Sequence, residues 1–190
     1  MATPEQLREV LLSPEEARQM DAVGGRIDAA VLVPLYLDAG ALHAVFTKRR
    51  DDLPHHAGEI SFPGGRQDFP DEDLRTTALR EAEEEIGLPP ADVQLVGALP
   101  PVGTFVTNYK IHSFVGVITP GHAWTPQPTE VEVILELSLP ALIAGHEMKR
   151  LVRKGVPFKT PTYTVGDNLI WGATARIVQL LLERLKPLLN

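Results

Sequence analysis

Four glutamates lie within five consecutive residues of the chain, at Glu81, Glu83, Glu84 and Glu85. On a helix, where side chains advance by about 100° per residue, Glu81, Glu84 and Glu85 share one face and Glu83 points away. Carboxylates at such spacings repel each other by about 0.2–0.5 kcal/mol per pair. Arg80 can pair with Glu84, but one arginine does not neutralise three carboxylates. A hard cation such as Mg²⁺ would, because it takes oxygen ligands and shares its coordination shell with substrate phosphates.

A helix over residues 73–86 would position these side chains, because that segment contains neither glycine nor proline. Pro70 and Asp71 stand at its expected start, and Gly87 followed by Pro89 marks its end. An apolar arc that can pack on a sheet adjoins the acidic face and comprises Ala78, Leu79, Ala82 and Ile86. Taken alone, such a glutamate run is more often a solvated helix face than a metal site, so the neighbouring sequence has to decide.

The residues on both sides of this helix favour the metal site. Phe62-Pro63-Gly64-Gly65 precedes it, and its second half reads Arg80-Glu81-Ala82, then Glu84-Glu85, then Gly87-Leu88. Together these residues resemble the Nudix box. Six residues separate Gly65 from Glu72, one more than the family's usual spacing, and Asp71 stands at the usual offset. The longer spacing resembles the coenzyme A diphosphatase branch of the family.

Two further segments resemble that branch. One carries Thr47-Lys48-Arg49, His56-Ala57-Gly58 and Phe62-Pro63-Gly64-Gly65, and the other is Ile170-Trp171-Gly172-Ala173-Thr174-Ala175-Arg176. Residues 100–165 match only loosely. Arg50 and Pro54 depart from the pattern, which puts the substrate in question more than the reaction.

The resemblance implies an α/β/α sandwich with a mixed central sheet and hydrolysis of a nucleoside diphosphate linked to another group, with Mg²⁺ or Mn²⁺. By position, Glu81 and Glu85 would bind the metal together with the Gly64 carbonyl. Glu84 would be a further ligand or would orient water, and Arg80 would hold the glutamates in place. Such cations neutralise charge on the diphosphate and make water a better nucleophile at neutral pH.

The general base is not fixed by the resemblance, and Glu84 and Glu130 are the candidates, Glu130 from its loop position alone. The implied substrate is coenzyme A or an acyl derivative, giving 3′,5′-ADP and 4′-phosphopantetheine. An enzyme acting on ADP-ribose or a dinucleoside polyphosphate stays open, as does a nucleotide-binding module that has lost catalysis. The intact acidic trio argues against the last of these.

A cluster of charges, Lys48-Arg49-Arg50-Asp51-Asp52, ends a predicted strand. It is either a solvated strand end or a set of cations for a phosphate-bearing substrate. A planar guanidinium can bind phosphate through two hydrogen bonds, so Arg49, with Arg50 second, is the candidate for the 3′-phosphate of coenzyme A. His55 and His56 are expected at the surface, because a hard-cation site does not call for imidazole.

The 190 residues suffice for one domain with a core, and the apolar content of 44% is typical of globular proteins. The net charge of −7 and the lack of a long basic run argue against nucleic acid as a partner. No cysteine is present, and neither a signal-like N-terminus nor an apolar run of about 20 residues is found. We therefore expect a cytoplasmic protein without membrane contact whose partner is a nucleoside diphosphate derivative. The oligomeric state stays open, with a homodimer as one option.

Residues 1–25 are predicted to form an N-terminal helical appendage, with caps at Thr3 and Ser13, and residues 26–190 a single domain. Strands are predicted over 27–37, 42–47, 93–99, 104–106 and 111–118, with an edge or bulge at Pro34, and residues 131–139 form an apolar stretch. Residues 53–65 should form a loop and then a short strand, which Pro63-Gly64-Gly65 breaks sharply. Residues 119–130 should form an exposed loop and 139–149 a short helix. An irregular hairpin over 150–167 and a last helix over 168–185 complete the chain. This irregular alternation favours a mixed sheet between helices.

Overall fold

The structure is a computed structural model that describes residues 2–53, 57–68, 73–104, 107–153 and 156–189. Several predictions fall outside these ranges. They concern the motif positions Pro70, Asp71 and Glu72, the pair His55 and His56, most of the strand over 104–106, and the hairpin turn at Lys154-Gly155.

Five helices, ten strands and two 3₁₀ turns make up the described chain. The helices are α1 (Pro4–Val10), α2 (Pro14–Gln19), α3 (Leu74–Ile86), α4 (Leu139–Ala144) and α5 (Gly172–Leu185), and the 3₁₀ turns are Pro90–Asp92 and Lys186–Leu188. The strands are β1 (Ile27–Asp38), β2 (Ala41–Arg49), β3 (Ile60–Ser61), β4 (Gly64–Arg66), β5 (Gln94–Gly103), β6 (Tyr109–Val117), β7 (Val131–Ser138), β8 (His146–Arg153), β9 (Val156–Val165) and β10 (Asn168–Ile170).

The central sheet has seven strands and is mixed, as predicted. β1 pairs in parallel with β6, whereas its other partners, β2 and β4, run antiparallel to it. β5 lies beyond β6, and β2 also pairs with β7 and with the short β3. A second sheet of three antiparallel strands contains β10, β9 and β8, in that order.

Successive side chains of β1 pack on opposite faces of the sheet, because side chains alternate along a strand. Ala30 and Leu32 belong to the cluster that buries Ala78, Ala82 and Ile86 of α3. Val33 and Leu35 belong to the other cluster, with the buried face of α5, which comprises Ala175, Ile177, Val178, Leu181 and Leu185. Helices therefore cover both faces of a mixed sheet, and the predicted fold class is confirmed.

The two N-terminal helices begin as predicted, with capping boxes at Thr3 and Ser13. Both helices contribute to the core: Leu7 of α1 is buried on the α5 face and Ala17 of α2 on the α3 face. The division of the chain at residue 25 stays a prediction.

Pro34 does not lie at a sheet edge. It lies in the parallel ladder opposite Gly116 of β6. On the other side of β1, pairing passes from β4 at Ala29–Val31 to β2 at Leu35–Asp38. A proline lacks the N–H that a ladder needs, and it is tolerated here because it falls between these two partners.

Three predicted boundaries are wrong. The helix predicted over 139–149 stops at Ala144, because Gly145 follows and β8 begins at His146. The last helix begins at Gly172, because residues 168–170 pair with β9 as β10. The short strand β3 ends at Ser61, before Pro63, but Gly64 and Gly65 form part of a further strand, β4, where only a break was predicted. The strands over 27–37 and 42–47 and the exposed loop over 119–130 are confirmed. No helix in the described ranges is long and apolar enough to cross a membrane.

Candidate active site

The acidic helix α3 begins and ends with identifiable caps. The side chain of Asp73 accepts a hydrogen bond of 2.7 Å from the N–H of Thr76. Gly87 ends the helix with φ +70°, a conformation that glycine adopts without strain. Because the stripe of Ala78, Ala82 and Ile86 is buried, the face that carries Glu81 and Glu85 is directed toward β4.

Glu85 is the most perturbed acid of this helix. Burial, and next the nearby Glu81 carboxylate, raise its pKa to about 8, against a hydrogen bond from the backbone of Gly64 that lowers it. Its Oε2 is buried and has no hydrogen-bond partner among the described residues. A buried carboxylate oxygen without a partner is costly, and a cation would satisfy it.

Glu81 lies against β4. Its side chain is only 15% exposed, and its Oε1 accepts a hydrogen bond of 2.9 Å from Nη1 of Arg80. A Cβ at Gly65 would stand 2.6 Å from the Glu81 carboxylate, so glycine leaves the room that this carboxylate occupies. Burial raises the pKa of Glu81, and the hydrogen bond from Arg80 acts against it.

Arg80 also contacts Glu84, as the spacing predicts. The same Nη1 atom lies 3.3 Å from Oε2 of Glu84, whose side chain is 57% exposed. The other terminal nitrogen of Arg80 lies 3.9 Å from Oδ2 of Asp68, a residue that the sequence analysis missed. Arg80 thus joins Glu81, Glu84 and Asp68, while Glu83 points to solvent.

Glu130 and Arg49 lie close to Glu85. Nη1 of Arg49 lies 3.3 Å from Oε2 of Glu130. Glu130 raises the pKa of Glu85 and Arg49 lowers it, which places both within electrostatic reach of that carboxylate. Arg50 turns elsewhere. It binds Asp52 through two hydrogen bonds of 2.8 and 2.7 Å and donates to the Pro128 carbonyl at 2.8 Å.

The 119–130 loop is attached to the end of α3. The N–H groups of Thr125 and Gln127 donate to the carbonyls of Ile86 and Glu85 at 3.1 and 2.9 Å. These helix-end carbonyls lack partners within the helix, so the loop satisfies them. A hydrogen bond from Glu130 N–H to the Gln127 carbonyl continues the connection, which fixes Glu130 relative to Glu85. Nothing in the sequence signalled these backbone contacts.

The carboxylates of Glu81, Glu84 and Glu85 do not surround a common metal position in this structure. Within the described residues, no three groups from histidine, aspartate or glutamate already form a metal-holding cluster. Glu81 and Glu84 both turn to Arg80 instead. The donor set nevertheless fits a hard cation, because Glu85 has a buried oxygen without a partner and the Gly64 backbone adjoins it.

A cleft of about 1310 Å³ meets this site at Gly64 and Gly65. Its walls come from β1, the end of β2, β3 and β4, the facing ends of β5 and β6, the strand β9 and the start of α5. The charged lining residues are Arg49, Glu59, Arg66, Lys159 and Arg176, and the larger apolar ones include Val31, Phe62, Ile111, Phe158 and Trp171. Arg50 is not among the lining residues.

The chain matches known sequences over most of its length. Residues 26–152 match the NUDIX domain. A protein from Photorhabdus laumondii named "Uncharacterized Nudix hydrolase NudL" is 34% identical over 160 residues, which cover 83% of this chain and 84% of that protein. A protein of the same name from Salmonella paratyphi B is 36% identical over 155 residues, covering 80% and 79%.

Solved structures share the fold. A C. elegans Ap4A hydrolase binary complex aligns with a TM-score of 0.58 at 17% identity, over 86% of this chain and 98% of that one. The NUDIX domain of Shewanella oneidensis NrtR, complexed with ADP ribose, aligns with a TM-score of 0.53 at 15% identity, over 93% and 97%. From the domain match and the related sequences, this chain belongs to the Nudix hydrolase family, whose enzymes act on phosphoric anhydride bonds.

Proposed function

We propose that the chain hydrolyses the diphosphate of coenzyme A or an acyl-coenzyme A, giving 3′,5′-ADP and 4′-phosphopantetheine or its acyl derivative. The observation that carries this proposal is the junction at Gly64 and Gly65. There, the cleft of about 1310 Å³ meets the strand backbone that contacts the buried carboxylates of Glu85 and Glu81. Sites for small molecules commonly measure about 300–1,000 Å³, so this cleft has room for a long ligand with two arms.

Glu81 and Glu85 would hold the divalent cation, Mg²⁺ or Mn²⁺, with the Gly64 carbonyl. When bound, the cation supplies charge neutralisation on the diphosphate and makes water more acidic. Glu84 is exposed and able to take part as a further ligand or to orient water. Arg80 would hold Glu81 and Glu84 in place through its Nη1, which both carboxylates share.

Glu130 and Glu84 are the candidates for the general base. Glu130 lies within electrostatic reach of Glu85, in a loop attached to the end of α3. Glu130 forms an ion pair with Arg49, so a base role would require Arg49 to turn away from Glu130 and toward the diphosphate. Arg49 lines the cleft and lies within electrostatic reach of Glu85, which favours contact with the scissile diphosphate.

A second substrate class has support from the structural relatives. Two solved structures with this fold are of an Ap4A hydrolase and of a NUDIX domain complexed with ADP ribose. A dinucleoside polyphosphate and ADP-ribose both contain phosphoric anhydride bonds between two groups, and the cleft of about 1310 Å³ has room for either. The branch-like segments at 47–65 and 170–176 favour coenzyme A over them. The cytoplasmic location and the homodimer stay predictions from the sequence.

The test is a hydrolysis screen at matched concentrations of coenzyme A, dephospho-coenzyme A, ADP-ribose, NADH and a dinucleoside polyphosphate. Each reaction is run with Mg²⁺, with Mn²⁺ and with EDTA, and products are identified by mass spectrometry. We expect metal-dependent release of 3′,5′-ADP from coenzyme A as the fastest reaction. Faster hydrolysis of ADP-ribose would overturn the substrate assignment, and no hydrolysis of any compound would favour the binding module.

A further inference from the structure

The charges that line the cleft are predominantly positive. Arg49, Arg66, Lys159 and Arg176 line it, and among the described residues Glu59 is the one acidic side chain in its wall. Such an excess of cations in a largely apolar cleft raises the local concentration of anions. One cation, Arg49, lies at the carboxylate site, which leaves three for another part of a ligand.

These three cations come from three different elements. In β4, side chains alternate between faces, and the Cβ position of Gly65 faces Glu81 of α3. Arg66, the next residue, therefore faces away from α3 and into the cleft. Lys159 lies on β9 opposite Arg150 of β8, and Arg176 lies in the first turns of α5.

The charges of Arg66, Lys159 and Arg176 are not compensated within the described part of the chain. None of the three forms an ion pair there, and Arg176 donates to the amide oxygen of Gln179 at 3.1 Å. The two cations predicted to bind the 3′-phosphate of coenzyme A already have partners. Arg49 pairs with Glu130, and Arg50 binds Asp52 through two hydrogen bonds.

We infer that Arg66, Lys159 and Arg176 form a subsite for a phosphate monoester carried by the substrate away from the scissile diphosphate. This inference rests on the proposed function and names the residues that select its substrate. A phosphate monoester has about −1.5 to −2 charges near neutral pH and three acceptor oxygens, which suits the several cationic donors that line this cleft. Two arginines supply planar forks and the lysine a mobile point charge.

Aromatic side chains line the same cleft, at Tyr109, Phe158 and Trp171. They offer flat surfaces on which an adenine can stack. The cleft therefore suits a nucleoside that carries a phosphate on its ribose, the chemistry that distinguishes coenzyme A from dephospho-coenzyme A and NADPH from NADH. ADP-ribose lacks this phosphate and would leave the three cations unused.

The experiment is calorimetric binding of adenosine 3′,5′-bisphosphate and of AMP, in EDTA, to the full chain and its variants. The variants are Arg66→Ala, Lys159→Ala and Arg176→Ala, with Lys186→Ala, at the far end of α5 from Arg176 and outside the cleft lining, as a control cation. We expect the full chain to prefer the bisphosphate. Each cleft variant should lose about tenfold to a hundredfold in affinity for it while AMP binding changes little. Lys186→Ala should bind both ligands as the unchanged protein does.

Equal affinity of the unchanged protein for both ligands would overturn the subsite, as would cleft variants that keep the full preference. A preference removed by Arg49→Ala instead would move the subsite to the residue first predicted from the sequence. Hydrolysis of coenzyme A and dephospho-coenzyme A at equal rates by all variants would overturn the subsite and leave the proposed function standing. Selective binding of the bisphosphate without hydrolysis of any compound would overturn the proposed function and leave the subsite standing.

Discussion

A Cβ atom added to Gly65 would lie 2.6 Å from Cδ of Glu81. Helix α3 and strand β4 are therefore in contact at Gly65, where the space beside the Glu81 carboxylate holds the hydrogen of glycine but no side chain. Strand β4 thus fixes how far the Glu81 carboxylate can move toward the cleft.

Gly65→Ala should weaken metal use without unfolding the protein. The added methyl group meets the far end of a flexible side chain, so the Glu81 carboxylate is displaced while the backbone stays. We expect the Mg²⁺ concentration for half-maximal activity to rise by about tenfold to a hundredfold, the effect of disturbing groups around metal ligands. Activity measured over a magnesium titration checks this, and an unchanged midpoint would contradict it.

Gly64→Ala is the contrasting variant. A Cβ there would lie 2.3 Å from the Ala30 carbonyl oxygen and 2.6 Å from Cα of Val31, both in the backbone of β1. Because a central strand cannot move aside, we expect a loss of about 1–3 kcal/mol in the free energy of unfolding. Urea unfolding of the two glycine variants measures the difference, and equal stabilities would show that β4 is looser than the contact distances indicate.

Much of this site follows from the sequence, because it depends on local periodicity. The helix over 73–86, its glycine stop and the shared face of Glu81 and Glu85 all follow from a repeat of about 3.6 residues. Of the predicted apolar arc of α3, Ala78, Ala82 and Ile86 are buried and Leu79 is partly buried, while the buried Thr77 was not predicted. These features need no knowledge of how distant segments meet.

The rest depends on contacts between distant segments. Gly64 and Gly65 suggested a turn, but pairing with β1 makes them a strand. Lys159 carries no local signal, because the register of β8 and β9 alone brings it to the cleft. Residues 145–149 continue a helical pattern, yet Gly145 and the pairing of β8 with β9 override it.

Arg80→Ala tests the arginine that Glu81 and Glu84 share. Its Nη1 lies 2.9 and 3.3 Å from the two carboxylates, so its removal releases both and restores their mutual repulsion. We expect turnover to fall and the metal midpoint to rise by about tenfold to a hundredfold. If a magnesium titration gives the original midpoint and normal turnover, Arg80 is only a solvated helix residue.

Glu85→Gln should abolish most turnover while the fold persists, because it removes an anionic oxygen from the metal site. In the metal-free protein this substitution also removes a buried carboxylate, so the temperature of thermal unfolding should stay unchanged or rise slightly. Assays at limiting Mg²⁺ provide the check. A variant with nearly full activity would contradict the assignment of Glu85 as a ligand.

The stability of the metal-free protein should depend on pH through Glu85. Burial raises its pKa to about 8 in the folded chain, from an ordinary value of 4.5. Between these values the folded state holds a proton that the unfolded state has lost, so stability falls as pH rises and levels off above pH 8. Glu81, whose pKa is also raised, acts in the same direction.

Melting temperatures in EDTA, measured for the unchanged protein and for Glu85→Gln from pH 5 to pH 9, isolate this contribution. We expect the melting temperature of Glu85→Gln to rise relative to that of the unchanged protein as pH rises. If the two melting temperatures differ by the same amount at every pH in this range, Glu85 is ionised in the folded protein.

Mn²⁺ binding, followed by electron paramagnetic resonance, shows whether the carboxylates of α3 hold the divalent cation. The signal of free Mn²⁺ is titrated with the unchanged protein, with Glu85→Gln and with Glu83→Gln, whose side chain points to solvent on the same helix. We predict that Glu85→Gln weakens Mn²⁺ binding by about tenfold or more, while Glu83→Gln binds as the unchanged protein does. Equal binding by all three proteins would contradict the metal site.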